Sequence, residues 1–119
     1  MTSTHVLADV AHRLMTLEAI SLFGWPAPGI ANRLRRRHSE IPKLTVHQRM
    51  MSGISLLGVQ VLPISFAILE RATQLTQSYE LLMGDALVVA LMQSMGLTNV
   101  ASLDSDFDLV AGLVRYTPV

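Results

Sequence analysis

The chain has no cysteine. That excludes a disulfide framework, a thiolate metal site and a cysteine nucleophile, and it fits a reducing compartment, so a cytoplasmic location is the expectation. Charge is scarce too: 15% of the 119 residues are charged and 50% are hydrophobic, where an ordinary soluble domain carries about 25% charged residues. The N-terminus lacks the positively charged flank and short apolar region of a signal peptide. No repeat, low-complexity tract or linker breaks the chain, and its length predicts one small domain over residues 1–119.

The apolar excess raises the question of a membrane span. The longest uncharged run is "MMSGISLLGVQVLPISFAIL", Met50 to Leu69, which is long enough to cross a bilayer. Ser52, Gly53, Ser55, Gly58, Gln60, Pro63 and Ser65 interrupt it. Gly58 and Pro63 bracket a β-branched "VQVLP", which reads as a short buried strand between two helices. The expectation is a soluble protein with no membrane partner.

Apolar spacings of three and four over residues 4–21 predict a helix capped by Ser3 or Thr4. "FGWPAPG" ends it, and Pro28 is placed to open a second helix through "IANRLRRRH". A third runs from Thr45, where "TVHQ" matches a reciprocal capping box, to about Gly58. Ser65 is placed to cap "FAILERATQLTQ". An apolar helix over Asp85–Met95, stopped by Gly96, then leads to strands at "TNVASLD" and "LVRYTP". Helices alternating with short apolar strands predict an α/β layer fold with a mainly parallel sheet.

The formal net charge of zero is unevenly spread. Residues 1–50 hold seven Lys/Arg against three acids, and residues 51–119 hold two against six. A basic half and an acidic half point to a polyanion contact and a cation site. On the acidic side, Asp85 lies nineteen residues before Asp104, and Asp106 and Asp108 follow; no charge intervenes between Asp85 and Asp104. In a parallel α/β unit a helix N-terminus and a strand C-terminal end share one edge, so these carboxylates are predicted to be neighbours. Crowded carboxylates repel unless one is protonated or a cation joins them. Mg²⁺ or Mn²⁺ suits such oxygen donors, and carboxylate-held Mg²⁺ is a common device for phosphodiester hydrolysis. Helix caps and solvated turns share this spacing, so spacing alone leaves both readings open.

Other clusters are less specific. Arg33, Arg35, Arg36, Arg37 and Lys43 could grip RNA phosphates or form a solvated helix face. His5, Asp9 and His12 share a helical face that could offer ligands to Zn²⁺, although no fourth ligand is evident. Trp25 is placed to stack on a base or to pack under its loop.

"GDALVVALMQSMGLTNVASLDSDFDLVAGLVRYTP" resembles the C-terminal third of PIN-domain ribonucleases, especially VapC-like toxins. There a "DAL-hydrophobic-A" helix precedes a strand ending in "T-x-D-x-D-F"; here the turn reads "SLDSDF", with Ser102 in place of Thr. "STHVLADVAHRLM" resembles the family's early acid-bearing helix. The resemblance implies a PIN-like three-layer fold and an endoribonuclease whose acids hold Mg²⁺ or Mn²⁺. By position, Asp85 and Asp104 are implied as catalytic metal ligands, with Asp106 an additional ligand. Asp9 is implied as a further catalytic metal ligand, although it falls where the family has Glu, a side chain with about 1.5 Å more reach. Ser102 is implied as a supporting hydrogen-bonder, and Asp108 as exposed or ordering. The family's opening strand, which ends in an Asp, has no counterpart, so the expectation is a domain truncated before its central strand and short of one acid. Exposed apolar surface would then favour a homo-oligomer, an antitoxin partner or a catalytically impaired remnant.

Overall fold

Ser3 begins the first helix by accepting the Val6 N–H at 3.2 Å on its Oγ, which satisfies one of the donors a helix start leaves free. The computed structural model describes residues 1–117. Within them the chain runs β1 (Thr2–Ser3), α1 (Thr4–Phe23), α2 (Ile30–Arg36), a 3-10 turn (His38–Lys43), α3 (Val46–Leu57) and β2 (Val61–Leu62). It continues with α4 (Phe66–Tyr79), α5 (Met83–Ser94), β3 (Asn99–Ala101), a second 3-10 turn (Ser105–Leu109) and β4 (Val114–Tyr116). Pro118, the end of the stretch read as the last strand, lies outside the described residues. Contacts divide the chain into two compact units, Met1–Leu62 and Pro63–Val119.

In the first unit, α1 ends at Gly24, whose φ of 66° is left-handed and whose N–H reaches the Ile20 carbonyl at 3.0 Å. A residue with a Cβ adopts that conformation at a cost, so glycine is the natural stop. The second helix starts at Ile30 with Gly29 as its cap, two residues after the proline expected to open it. Ala19, Ile30, Leu34 and Leu44 form this unit's core, with Met15, Ile20, Phe23, Trp25 and Ile41 against it.

The capping box expected at Thr45 and Gln48 does not form, since the Thr45 side chain makes no cap bond. Glu18, on α1, caps α3 instead. Its Oε1 accepts the Thr45 N–H at 2.9 Å and its Oε2 accepts the Val46 N–H at 2.9 Å. These backbone bonds hold the Glu18 carboxyl below the usual carboxylate range, with Arg49 and His47 assisting. Glu18→Gln is therefore expected to lower the melting temperature at pH 7. A depressed native pKa contributes stability above the unfolded value, and that stability is lost as pH falls through the native value. The gap between wild type and variant should thus close below about pH 4, as read by thermal melts across pH.

The second unit is built on the α4–α5 pair. Ser65 caps α4 through the Ile68 N–H at 3.3 Å. Along α5, Ala86, Leu87, Val89, Ala90 and Met92 are buried, and the small residues Ala86 and Ala90 sit in one core with Ala72 of α4. Leu75, Leu81, Phe107 and Val110 complete that core, with Val100 and Leu113 packed on it. Gly96, at φ 67°, closes the helix and lets the Leu97 N–H return to the Met92 carbonyl at 2.9 Å.

The expected single parallel sheet is instead two separate parallel pairs, β1 with β2 and β3 with β4. Both are parallel as predicted, but no described strand exceeds three residues. The protein is therefore a helix-rich α/β chain with short parallel strands. Among the described residues no helix is long and apolar enough to cross a membrane. The Met50–Leu69 run is divided among α3, β2 and α4.

Candidate metal centre

The apolar run between Asp85 and Asp104 forms α5, its glycine stop and β3. It leaves from one end of the second unit and returns to it. Asp85 occupies the first turn of α5, and Asp104 follows β3 as the cap of the second 3-10 turn. Each of Asp85, Asp104 and Asp106 offers one carboxylate oxygen, and these oxygens lie within 4.8 Å of one another.

Local bonds fix the acidic turn. The Asp104 N–H donates to Ser102 Oγ at 3.0 Å, and Asp104 Oδ1 accepts the Asp106 N–H at 2.9 Å. Such side-chain-to-backbone bonds are the reason Ser and Asp favour turns. Phe107, between the acids of the turn, is buried in the core and anchors it.

Asp85 is half-buried, whereas Asp104 and Asp106 are exposed. Burial pushes the Asp85 carboxyl above the usual range, and the charges of Asp104 and then Asp106 push it the same way. Two ionised groups no more than 4.8 Å apart repel by at least roughly 1 kcal/mol in water and about 3.5 kcal/mol at an effective dielectric of about 20. The exposure of Asp104 and Asp106 favours the lower figure. The start of α5 offsets part of this, since a helix N-terminus favours a carboxylate by about 0.3–1 kcal/mol. The sum still disfavours three bare charges.

Asp108 has an ordering role that sequence left open. Arg115, on β4, grips it with two bonds, Nε to Oδ1 at 2.9 Å and Nη2 to Oδ2 at 3.0 Å. Arg115 Nη1 also reaches the Ser102 carbonyl at 3.3 Å and Thr117 Oγ1 at 3.1 Å. The guanidinium thus ties β4 to both ends of the acidic turn. It holds the Asp108 carboxyl below the usual range, chiefly through hydrogen bonding. Sequence reasoning missed Arg115 because nothing local links residues seven apart across an irregular turn. Its one available signal was that Arg71 and Arg115 are the sole cations after residue 50.

The remaining residues singled out from sequence lie in the first unit. Asp9 is exposed on α1, its Oδ2 3.2 Å from His5 Nε2; the approach is close but lacks hydrogen-bond geometry. His12 lines a different cavity, of about 410 Å³, with Arg13, Thr16 and Leu17. Arg33, Arg36 and Arg37 line a cavity of about 440 Å³. Arg35 is turned from it, with Nη1 donating to Asn32 Oδ1 at 2.7 Å.

A helix-rich α/β chain with short parallel strands and three gathered carboxylates has the frame and donor set of a divalent-cation site. The PIN domain family model matches residues 1–113, and the chain belongs to the PIN domain family. No curated protein and no solved structure matches it. Membership supports nuclease activity in general, and PIN domains typically use a divalent metal. The all-oxygen donor set of Asp85, Asp104 and Asp106 fits such an ion.

Proposed function

We propose that the chain is a metal-dependent endoribonuclease of the VapC toxin type, with Asp85, Asp104 and Asp106 holding Mg²⁺ or Mn²⁺. The observation that carries this reading is the approach of three carboxylate oxygens within 4.8 Å. Among the described residues, none of the three acids forms an ion pair. The bound ion would stabilise charge on the phosphoryl oxygens and make water easier to deprotonate. Asp104 Oδ1 also accepts the Asp106 N–H, which braces the turn that carries both acids. A bound cation would offset the charges of Asp104 and Asp106 that push the Asp85 carboxyl upward. Asp9 enters as a further acid through the family resemblance alone, and Asp9→Asn tests it. Of the arginines singled out from sequence, Arg33, Arg36 and Arg37 are the groups proposed to bind RNA, and Arg35 is engaged by Asn32 instead. A cytoplasmic location and an antitoxin partner belong to the same reading.

The test is cleavage of single-stranded RNA by the purified chain, with and without Mn²⁺, beside a direct titration of Mn²⁺ binding. Three carboxylates hold a hard cation less tightly than four, so millimolar Mn²⁺ should be used. Cleavage that persists in EDTA would reject the site.

A second reading, a catalytically impaired remnant that binds an antitoxin or a further copy of itself, is favoured by one feature of the first unit. Leu7, Ala8, Met51, Ile54, Val59 and Val61 line an apolar cavity of about 600 Å³. On the same helix as Met51 and Ile54, Leu56 is 88% and Leu57 78% exposed. Unpartnered apolar surface of this kind marks interaction sites. Mn²⁺ binding without cleavage, together with a dimer by light scattering or tight binding of a neighbouring gene's product, supports this alternative.

A further inference from the structure

The first unit holds a second group of like charges, and it is organised differently from the acids. Arg33 and Arg36 stand three residues apart on α2, and Arg37 closes that helix. Residues three and four apart share a helical face, and these three side chains line one cavity of about 440 Å³. Two of them are held by an aromatic ring. The Arg33 guanidinium carbon lies 5.3 Å and that of Arg37 5.6 Å from the centre of Trp25. Trp25 is steadied in turn by Phe23, with ring centres 4.8 Å apart.

Guanidinium groups stack on aromatic faces while their N–H edges stay free to donate. The nearest acid in the following 3-10 turn, Glu40, is taken by Lys43 at 3.1 Å. Among the described residues no carboxylate pairs with Arg33, Arg36 or Arg37. Arginines near a helix C-terminus also complement its dipole, but that explains neither the shared cavity nor the setting of two guanidinium groups against one ring. The three side chains therefore present positive charge with no carboxylate partner to one concave surface.

We infer that the cavity of Arg33, Arg36 and Arg37 is a phosphate-recognition site for the sugar–phosphate backbone of single-stranded RNA, with Trp25 as a positioning residue. This rests on the ribonuclease reading for the identity of the polyanion and narrows it. The contact reads phosphate and not base, because the Trp25 ring is occupied by arginine. It also excludes Arg35. Guanidinium forks match the bidentate geometry of phosphoryl oxygens, and neutralising phosphates makes binding steeply dependent on salt.

The experiment measures binding of a fluorescein-labelled single-stranded RNA of about a dozen nucleotides by anisotropy in EDTA, between about 50 and 200 mM KCl. Arg33→Ala, Arg36→Ala and Arg37→Ala should each weaken binding about 5- to 10-fold and flatten the log–log salt slope by about 0.7. Arg35→Ala should leave that slope unchanged. Trp25→Leu should weaken binding without removing a charge, and Trp25→Phe should restore it. Arg36 is the variant that keeps the test sound if the Trp25 variants fold poorly, since Arg36 is not stacked on the ring.

Unchanged slopes in all three arginine variants would overturn the inference. Polyglutamate competing as well as unlabelled RNA would overturn it in favour of an acidic protein partner. Because EDTA prevents metal-dependent cleavage, the two readings fail separately. Binding that depends on the three arginines, with no cleavage in Mn²⁺, keeps this site and removes the nuclease. Cleavage indifferent to the three arginines does the reverse.

Discussion

Asp85→Asn is expected to make the metal-free protein harder to melt and the Mn²⁺-loaded protein easier to melt than wild type, while cleavage falls by on the order of 100-fold or more. Without metal, the ionised Asp85 meets a desolvation penalty and two like charges within 4.8 Å. Removing its charge relieves about 1 kcal/mol per neighbour and forfeits about 0.3–1 kcal/mol of helix-dipole stabilisation. A net gain of about 1 kcal/mol corresponds to roughly 3–6 °C in melting temperature for a chain of this length. With Mn²⁺ at about 100 times its dissociation constant, wild type should gain about 2.7 kcal/mol through linkage. The variant lacks a ligand and gains little.

The sign with pH follows from the raised native pKa of Asp85. Its contribution to stability is fully present below the unfolded value and is lost as pH rises through the native value. The variant's metal-free advantage should therefore appear at neutral pH and disappear below about pH 4. Melts of both proteins with EDTA and with Mn²⁺, at neutral and acid pH, measure all of this. Identical melting behaviour with and without Mn²⁺ would reject the centre.

The largest loss of stability is expected from Phe107→Ala. Phe107 is buried among Ala72, Leu75, Ala86 and Val110, in the same turn that carries Asp106 and Asp108. Truncating a buried Phe costs about 3–5 kcal/mol, a transfer loss plus the cavity left behind. Against a total stability of about 5–15 kcal/mol, that approaches unfolding. Phe107→Leu keeps most of the apolar fill and should cost less. Chemical denaturation gives both values, and titration of Mn²⁺ under folding conditions gives the consequence for the turn. Weakened Mn²⁺ binding by the still-folded Phe107→Leu chain would link packing to the site. Full stability in the alanine variant would mean that the turn is not anchored as described.

Much of this architecture could be read along the chain because its causes are local. Ser3 and Ser65 cap the helices they precede, and glycines stop α1, α3 and α5. The buried helix between the acids, and the strands on each side of the second turn, also follow from residue type and spacing. The approach of Asp85 to Asp104 was legible through a rule of α/β connection, since a helix that runs out and a strand that runs back end together.

The misreadings share one cause. The Thr45 cap failed because Glu18, 27 residues earlier, supplies a charged acceptor to the same donor. A charged acceptor makes the stronger bond, so the neighbouring side chain was not needed. The tie from Arg115 to Asp108 and to the Ser102 carbonyl joins segments that only folding brings together. The arginines likewise look equivalent as a string, yet three share a cavity and Arg35 does not.

Residue order alone determined the serine caps of α1 and α4, the glycine stops of α1, α3 and α5, which half is basic and which acidic, and that the acids flank an uncharged out-and-back segment. Those features depend on dihedral preference, apolar spacing and charge count, all of them properties of a few neighbouring residues. Tertiary structure alone decided that the strands pair two by two, that Glu18 caps a distant helix, and which carboxylates and guanidinium groups converge. Those outcomes depend on distances through space, where hydrogen bonds and Coulomb forces act irrespective of separation along the chain.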